Sequence, residues 1–234
     1  MTSFTPSRTE FVESVLRLKP RMATFDCDGT LWASDAGEGF FSWELEQRLV
    51  PEEVRTWAGP RYVDYRAGKV AEEVMCGEMA TMHRGMPEAI VQQAAEKYFG
   101  QEFVRLIFPE MRELVQRLRE SGCDVWAVSS SNVWVVRAAM PYFGIPPERI
   151  LAAETAIENG MITDRLLRVP TGPGKPEAIR AVIGSTPDCA FGNSIWDREM
   201  LEMARHSFAI NPNPDLRALA LARGWSVYQP RSNH

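Results

Sequence analysis

Thr24-Phe25-Asp26-Cys27-Asp28-Gly29-Thr30-Leu31-Trp32 sets the reading of the whole 234-residue chain. The apolar run Met22-Ala23-Thr24-Phe25 leads into it and predicts a short buried strand. Asp28-Gly29-Thr30 is a turn signal, so both carboxylates fall at the strand's carboxyl end, where open α/β sheets bind ligands. Residues two apart on an extended backbone point the same way, which turns Asp26 and Asp28 toward one place. Two carboxylates that close repel each other unless a cation lies between them or they share a proton. Mg²⁺ suits such a place, because it takes one or two carboxylates and completes its shell with water and phosphate oxygens. A bare Asp-x-Asp is more often a turn with surface acids, so the rest of the chain has to supply matching parts.

Composition bounds what those parts do. With 45% hydrophobic and 24% charged residues the chain is globular, not disordered. A net charge of −5 leaves no basic stripe for a duplex, so no nucleic-acid partner is expected. The N-terminus shows no apolar leader, and no run approaches the ~20 apolar residues of a membrane span. The expectation is a cytoplasmic protein without membrane contact. Cys27, Cys76, Cys123 and Cys189 are scattered, with no C-x-x-C pair. That disfavours zinc and fits a reducing compartment better than a disulfide frame.

Along the chain, Thr9 to Lys19 carries apolar residues at helical spacing and ends before Pro20. After the first strand the pattern becomes helical throughout, from Phe40, Phe41 and Trp43 through Val70, Met75 and Met79 to Ala94, Ala95 and Tyr98. Phe108-Pro109 then opens a helix that Gly122 ends. Asp124 to Val128 predicts a buried parallel strand, stopping at Ser129-Ser130-Ser131-Asn132 before a helix from Val133. A strand at 149–153, a hairpin over 156–169 and a helix over 176–183 follow. Strands at 189–191, 207–210 and 225–228 complete the pattern. Alternating strands and helices predict an α/β fold, a doubly wound, Rossmann-like parallel sheet. Residues 1–32 and 102–234 would form that core, with 33–101 inserted as a small all-helical cap.

Three predicted strands end in polar clusters: Asp26/Asp28, Ser129 to Asn132, and Asn193 to Asp197. Gly172-Pro173-Gly174-Lys175 adds a fourth element at a loop-to-helix junction. It is not a nucleotide-binding P-loop, which needs an earlier Gly and a Ser or Thr after the Lys. A cation at a helix start opposes the helix dipole, so Lys175 needs another reason to be there. Gathered on one sheet edge, these parts suit phosphoryl chemistry: a carboxylate nucleophile, a second acid, a metal, hydroxyl donors and a Lys.

In this order the motifs resemble those of the haloacid dehalogenase superfamily, in its phosphatase branch with a helical cap, and the resemblance covers nearly the whole chain. It implies that Asp26 attacks phosphorus and that Asp28, oriented by a hydrogen bond to Thr30, acts as acid and then base. It implies that Ser129 and a nearby backbone N–H hold phosphate oxygens, with Ser130 a further candidate for binding substrate, and that Lys175 offsets the charge of nucleophile and phosphate together. It also implies that Asp26, the Asp28 carbonyl and Asn193 hold Mg²⁺, with Asp197 as a further ligand or close behind. Phosphatases of this branch usually carry Asp where this chain has Asn193. The founding dehalogenases carry Asn there but generally lack the second carboxylate that Asp28 supplies, so phosphatase is the better reading. The expected substrate is a small phosphomonoester. Asp35 and Glu38 lie where the chain rises into the cap, a short segment in which related enzymes often place an acid to meet the ammonium group of phosphoserine, phosphocholine or phosphoethanolamine. Trp43, Trp57, Tyr62 and Tyr65 offer aromatic faces, and Arg61 and Arg66 would suit a substrate carboxylate. A phosphosugar mutase and a non-catalytic binding protein are the alternatives. Cys27 is expected in the core, and His83 and His206 receive no role. Oligomeric state is not legible.

Overall fold

In the computed structural model, which describes residues 7–231, the strand that carries the two carboxylates lies at the centre of one seven-stranded sheet. Residues 1–6 and 232–234, the ends of the expected core segments, lie outside the described residues. The strands are β1 (Met22–Phe25), β2 (Asp124–Asn132), β3 (Ile150–Glu158), β4 (Met161–Arg168), β5 (Cys189–Gly192), β6 (His206–Ile210) and β7 (Ser226–Tyr228). Their order across the sheet is β4-β3-β2-β1-β5-β6-β7, all parallel except the β3–β4 hairpin. The chain therefore winds outward from β1 in one direction and later in the other. Such a reversal opens a crevice beyond the carboxyl ends of the central strands.

The sheet is covered on both faces, as parallel sheets require. Ala23 and Phe25 of β1 join Val125 and Ala127 of β2 in a core with α1 (Arg8–Leu16), α6 (Pro109–Glu120) and α7 (Val133–Ala139). Met22, Trp126 and Val128 face the other way, onto α8 (Gly174–Val182), α9 (Arg198–Met203) and α10 (Pro214–Arg223). Phe25, Phe191 and Phe208 stack across β1, β5 and β6 with ring centroids 4.2 and 4.7 Å apart. Each such pair contributes about 0.5–1.5 kcal/mol beyond burial, and this stack ties together two of the strands whose ends form the crevice.

Between β1 and β2 the chain forms α2 (Ala36–Glu46), α3 (Glu52–Arg66), α4 (Glu72–Thr81) and α5 (Glu88–Tyr98). Phe41, Val50, Ala58, Val70, Met75, Met79 and Met82 form a small core of their own. Val91, Ala95 and Tyr98 of α5 instead belong to the main core. This helical segment thus has one half packed on itself and one half anchored on the sheet's helical layer.

β2 runs past the expected stop at Ser129. Its pairing with β3 slips in register between Val128 and Asn132, an irregularity that lets the triple serine remain extended. Such irregularities re-aim side chains beside functional sites. Asn132 then caps α7, its Oδ1 accepting from the Val135 N–H at 3.1 Å.

Candidate active site

Immediately after β1, the Asp26 N–H donates to the Phe191 carbonyl at 2.9 Å, prolonging the β1–β5 ladder by one residue. The chain then turns sharply: the Thr30 and Leu31 N–H groups both donate to the Cys27 carbonyl, and Gly29 adopts φ +71°. Glycine is required there twice over, since a Cβ would also lie 1.8 Å from Asn193 Nδ2. The amide of Asn193 therefore sits directly against the first loop. Asn211 Nδ2 donates to the Gly29 carbonyl at 3.2 Å, and the Asn213 N–H donates to the Asn193 carbonyl at 2.9 Å. Three strand ends are thereby laced into one rim.

Lys175 is 1% exposed and uses all three ammonium protons. Nζ donates to Asp26 Oδ1 at 2.7 Å, to Asp197 Oδ1 at 2.5 Å and to the Val128 carbonyl at 3.0 Å. Burial pulls its pKa down, but Asp197 and Asp26 outweigh that and raise it, holding the ammonium charged. The second oxygen of Asp197 accepts from the Asn193 and Ser194 N–H groups, both at 2.9 Å. Both carboxylate oxygens of Asp197 are thus already engaged. Burial pushes Asp26 up to about 7, with the charge of Asp197 adding to it and Lys175 opposing.

The expected Thr30–Asp28 hydrogen bond is not formed. The turn at Gly29 folds Thr30 back onto β1, and its hydroxyl donates to Asp26 Oδ2 at 2.9 Å. Asp28 is held by other groups: the Trp32 indole N–H at 2.8 Å and the Ala36 N–H at 2.5 Å on Oδ1, and the Ser131 hydroxyl at 2.6 Å on Oδ2. Burial pushes Asp28 up to about 7, followed by repulsion from Asp35, against the pull of those three donors.

These groups border a cavity of about 490 Å³. Asp26, Asp28, Ser130, Lys175 and Asn193 form its floor, and Asp35, Glu38, Tyr65, Arg66 and Glu72 its wall on the helical side. A recess between α3, α4 and the serines adds Tyr62, Met75, Cys76 and Ser131. A larger cleft, about 710 Å³, lies at the opposite edge of the sheet beside Arg205, His206 and Arg223, away from all of these carboxylates. Among the serines, Ser130 reaches the cavity, while Ser129 is buried behind it, its hydroxyl accepting from the Ser131 N–H at 3.2 Å. Asp35 caps α2 through the Glu38 N–H at 2.8 Å, and burial pushes it up to about 6.

Other expected residues fall elsewhere. Arg61 is engaged by Glu78 through two hydrogen bonds, at 2.7 and 2.8 Å. Trp43 packs on Phe40 and Tyr98. Cys27 is fully buried, and all four cysteines are free thiols. His83 is buried against Glu44, and His206 is exposed. Glu72, which accepts from the Tyr65 hydroxyl at 2.6 Å, escaped the sequence reading because nothing near it in the chain marks it. Burial raises its pKa. Asn211 follows a strand end, the same positional signal that exposed Asn193.

As for a metal, no cluster of three or more His, Cys, Asp or Glu side chains is arranged to hold one among the described residues. The donors that meet here are oxygens and an amide: Asp26, the Asp28 segment and Asn193. Three carboxylates (Asp26, Asp28 and Asp197) stand against one Lys, leaving negative charge unmatched beside the cavity. An oxygen-lined, under-neutralised site with room for water fits Mg²⁺, which takes few protein ligands.

A profile of the haloacid dehalogenase-like hydrolases matches residues 23–202. A probable phosphatase of Mycobacterium tuberculosis is 29% identical over 154 residues, covering 64% of this chain and 53% of that protein. The chain spans about half the length of the curated Mycobacterium and Streptomyces relatives it matches. A structure of a Bordetella pertussis protein of unknown function superimposes with a TM-score of 0.74 at 21% identity, covering 89% of this chain and 97% of that one. A substrate-bound phosphoserine phosphatase superimposes with a TM-score of 0.57 at 16% identity, covering 91% and 93%. No helix among the described residues is long and apolar enough to cross a membrane.

Proposed function

The chain belongs to the haloacid dehalogenase-like hydrolases, and on that footing we propose that it is a phosphatase that cleaves a small phosphomonoester through an aspartyl-phosphate. The observation that carries this reading is the buried Lys175 ammonium bridging Asp26 and Asp197 at the end of β1, with Asp28 on the same cavity. In the first half-reaction a carboxylate oxygen of Asp26 forms a bond to phosphorus as the ester P–O bond breaks. Asp28 gives its proton to the departing oxygen. In the second half-reaction Asp28 takes a proton from water, the resulting hydroxide attacks phosphorus, and the Asp26–phosphorus bond breaks to release orthophosphate. Lys175 stays protonated throughout and offsets charge on nucleophile and phosphate. Ser130 faces the phosphate, with Ser129 behind it fixing the loop.

Asp26, the Asp28 carbonyl and Asn193 would hold Mg²⁺, which when bound supplies charge neutralisation at the phosphate oxygens. Asp197 serves from behind, because its two oxygens are committed to Lys175 and to the backbone that carries Asn193. We place the cap over residues 33–101, where Asp35 and Glu38, joined by Glu72, give the substrate's other end a negative wall. Arg66 lies 4.0 Å from Glu38, so one positive group stands against three carboxylates. That balance supports an amine-bearing ester of the phosphocholine, phosphoethanolamine or phosphoserine type.

The test is phosphate release from these three esters, sugar phosphates and aryl phosphates, with Mg²⁺ and with chelator, alongside Asp26→Asn. Metal-dependent release with preference for an amine ester is expected, and Asp26→Asn should lower turnover by on the order of 10⁴-fold or more. Release at the native rate from Asp26→Asn would remove the nucleophile. Phosphate migrating within a sugar without release would identify a mutase instead, and inactivity toward every ester would leave a binding protein.

A further inference from the structure

The three groups that hold Asp28 have no role in the reaction as described so far. Oδ1 accepts two N–H groups that cannot change role, the Trp32 indole and the Ala36 backbone amide at the first turn of α2. An N–H of either kind only donates. Both lone-pair directions of Oδ1 are thereby taken. Oδ2 accepts a single bond, from the Ser131 hydroxyl at 2.6 Å, and keeps one direction open. A hydroxyl differs from the two N–H groups because it can rotate and accept as readily as it donates. Ser131 is itself confined: it is the third serine of the irregular end of β2, and a Cβ on Gly37 of α2 would lie 2.3 Å from its Oγ. Trp32 is 1% exposed and wedged edge-on against Phe99, at 5.2 Å between centroids, so the indole N–H is fixed by the core.

We infer that Trp32 and Ser131 are positioning residues for Asp28, which leave Oδ2 as the oxygen that exchanges a proton with the reacting groups. The inference rests on the phosphatase reading. Oδ1 is anchored and does no proton work. When Oδ2 carries the proton, it carries it in the open direction, while the confined Ser131 oxygen stays in place on the other side, and the proton passes to the leaving oxygen as its bond to phosphorus breaks. When Oδ2 is bare, Ser131 donates to it again, and the open direction receives the proton of the attacking water. Removing either partner lets the carboxylate rotate about its Cβ–Cγ bond and divides its time between productive and idle orientations. Positioning of this kind matters because small misplacements of a reacting group carry large rate penalties.

The experiment separates loss of acid assistance from loss of structure. kcat/KM is measured for phenyl, 4-chlorophenyl and 4-nitrophenyl phosphate, esters of similar shape whose leaving groups need progressively less protonation. It is measured on the native enzyme with Mg²⁺, Ser131→Ala, Trp32→Phe and, as the reference for complete loss of the acid, Asp28→Asn. Ser131→Ala is expected to lose about ten-fold on phenyl phosphate and less than two-fold on 4-nitrophenyl phosphate, a fraction of what a general acid supplies. Trp32→Phe should steepen the leaving-group dependence in the same direction. A native enzyme inert to all three esters overturns the phosphatase reading. An active native enzyme, with Ser131→Ala losing one common factor on every ester or losing nothing, overturns the positioning role alone. Trp32→Phe empties part of the core, so its melting temperature is recorded in parallel. Ser131 is only partly buried, so Ser131→Ala decides the matter if the indole variant does not fold.

Discussion

At the end of β1 two carboxylates, Asp26 and Asp197, share one ammonium, with a third, Asp28, beside them on the cavity, whereas between α2 and the turn after α4 one carboxylate, Glu44, meets one imidazole, that of His83. Both places bury ionisable groups: the Glu44 and His83 side chains are 0% exposed and that of Lys175 is 2% exposed. They differ in balance and in access. The helical pair is matched one to one and sealed. The strand-end cluster is left with excess negative charge and opens onto the cavity, and burial holds Asp26 and Asp28 at about 7. Burying unmatched charge is unfavourable, so a fold keeps it only where something arriving from outside completes it. The sealed pair has nothing to wait for and acts on structure alone.

The sharpest way to break that contrast is to remove the shared ammonium. Lys175→Met keeps the stem but leaves Asp26 and Asp197 facing each other in a water-poor site. Breaking a buried ion pair on one side costs about 3–5 kcal/mol. For a chain of this size that corresponds to a melting temperature lower by roughly 6–20 °C, together with loss of turnover. The sign with pH follows from the raised carboxylate: without the ammonium, Asp26 favours its protonated form still more, so the variant should regain stability as pH falls below neutral. Thermal melts between pH 5 and 8 check this. A variant with native stability and no pH slope would mean that the cluster is not charge-strained at all.

That cluster was largely legible in the sequence because its members sit where strands end, and strand ends announce themselves through turn residues. Asp28, Asn193 and Lys175 are each adjacent to a Gly, and Asp26 lies three residues before one. What remained hidden depends on how the chain folds back on itself. Thr30 serves Asp26 instead of Asp28 because the turn at Gly29 reverses the backbone. Ser131 reaches Asp28 across 103 residues of sequence, on a strand that overruns its expected end through a slip in register. Glu72 and Glu44 lie in helices whose periodic apolar pattern is legible, and His83 in the turn after one, but helical periodicity does not reveal which polar residues meet.

The sealed pair is the place for the second perturbation. Glu44→Ala removes the carboxylate that binds His83 and opens a void in a fully buried place. A loss of about 3 kcal/mol is expected, lowering the melting temperature by roughly 6–12 °C. Activity per folded molecule should be retained, since Glu44 does not border the cavity. Comparable loss of kcat at a temperature where the variant is fully folded would show that the pair serves the reaction, and the distinction between the two buried clusters would not stand.

The finer test follows the proton inside the pair. His83 Nδ1 lies 3.2 Å from the Ala80 carbonyl, which has no proton to give, so Nδ1 carries the hydrogen. Nε2 faces both oxygens of Glu44, at 3.0 and 3.1 Å. A proton must therefore lie between Nε2 and the carboxyl group, whether it is drawn as imidazolium and carboxylate or as neutral imidazole and acid. Burial works against the charged imidazole, but Glu44 and the Ala80 carbonyl outweigh it and raise the His83 pKa, while burial raises that of Glu44. Both shifts mean that the folded chain holds this proton more tightly than the unfolded chain. The associated stability is present in full below the unfolded histidine value of about 6.5 and is lost as pH rises through the folded value. Its slope is at most about 1.4 kcal/mol per pH unit for one proton. Glu44→Gln keeps the shape and can donate its amide N–H to the bare Nε2 of a neutral imidazole, with no proton shared, so it should flatten this part of the stability–pH curve above pH 6.5. Denaturant melts of the native and Glu44→Gln proteins from pH 6 to 9 measure the difference. Two parallel curves would place the proton elsewhere and make the pair an ordinary neutral hydrogen bond.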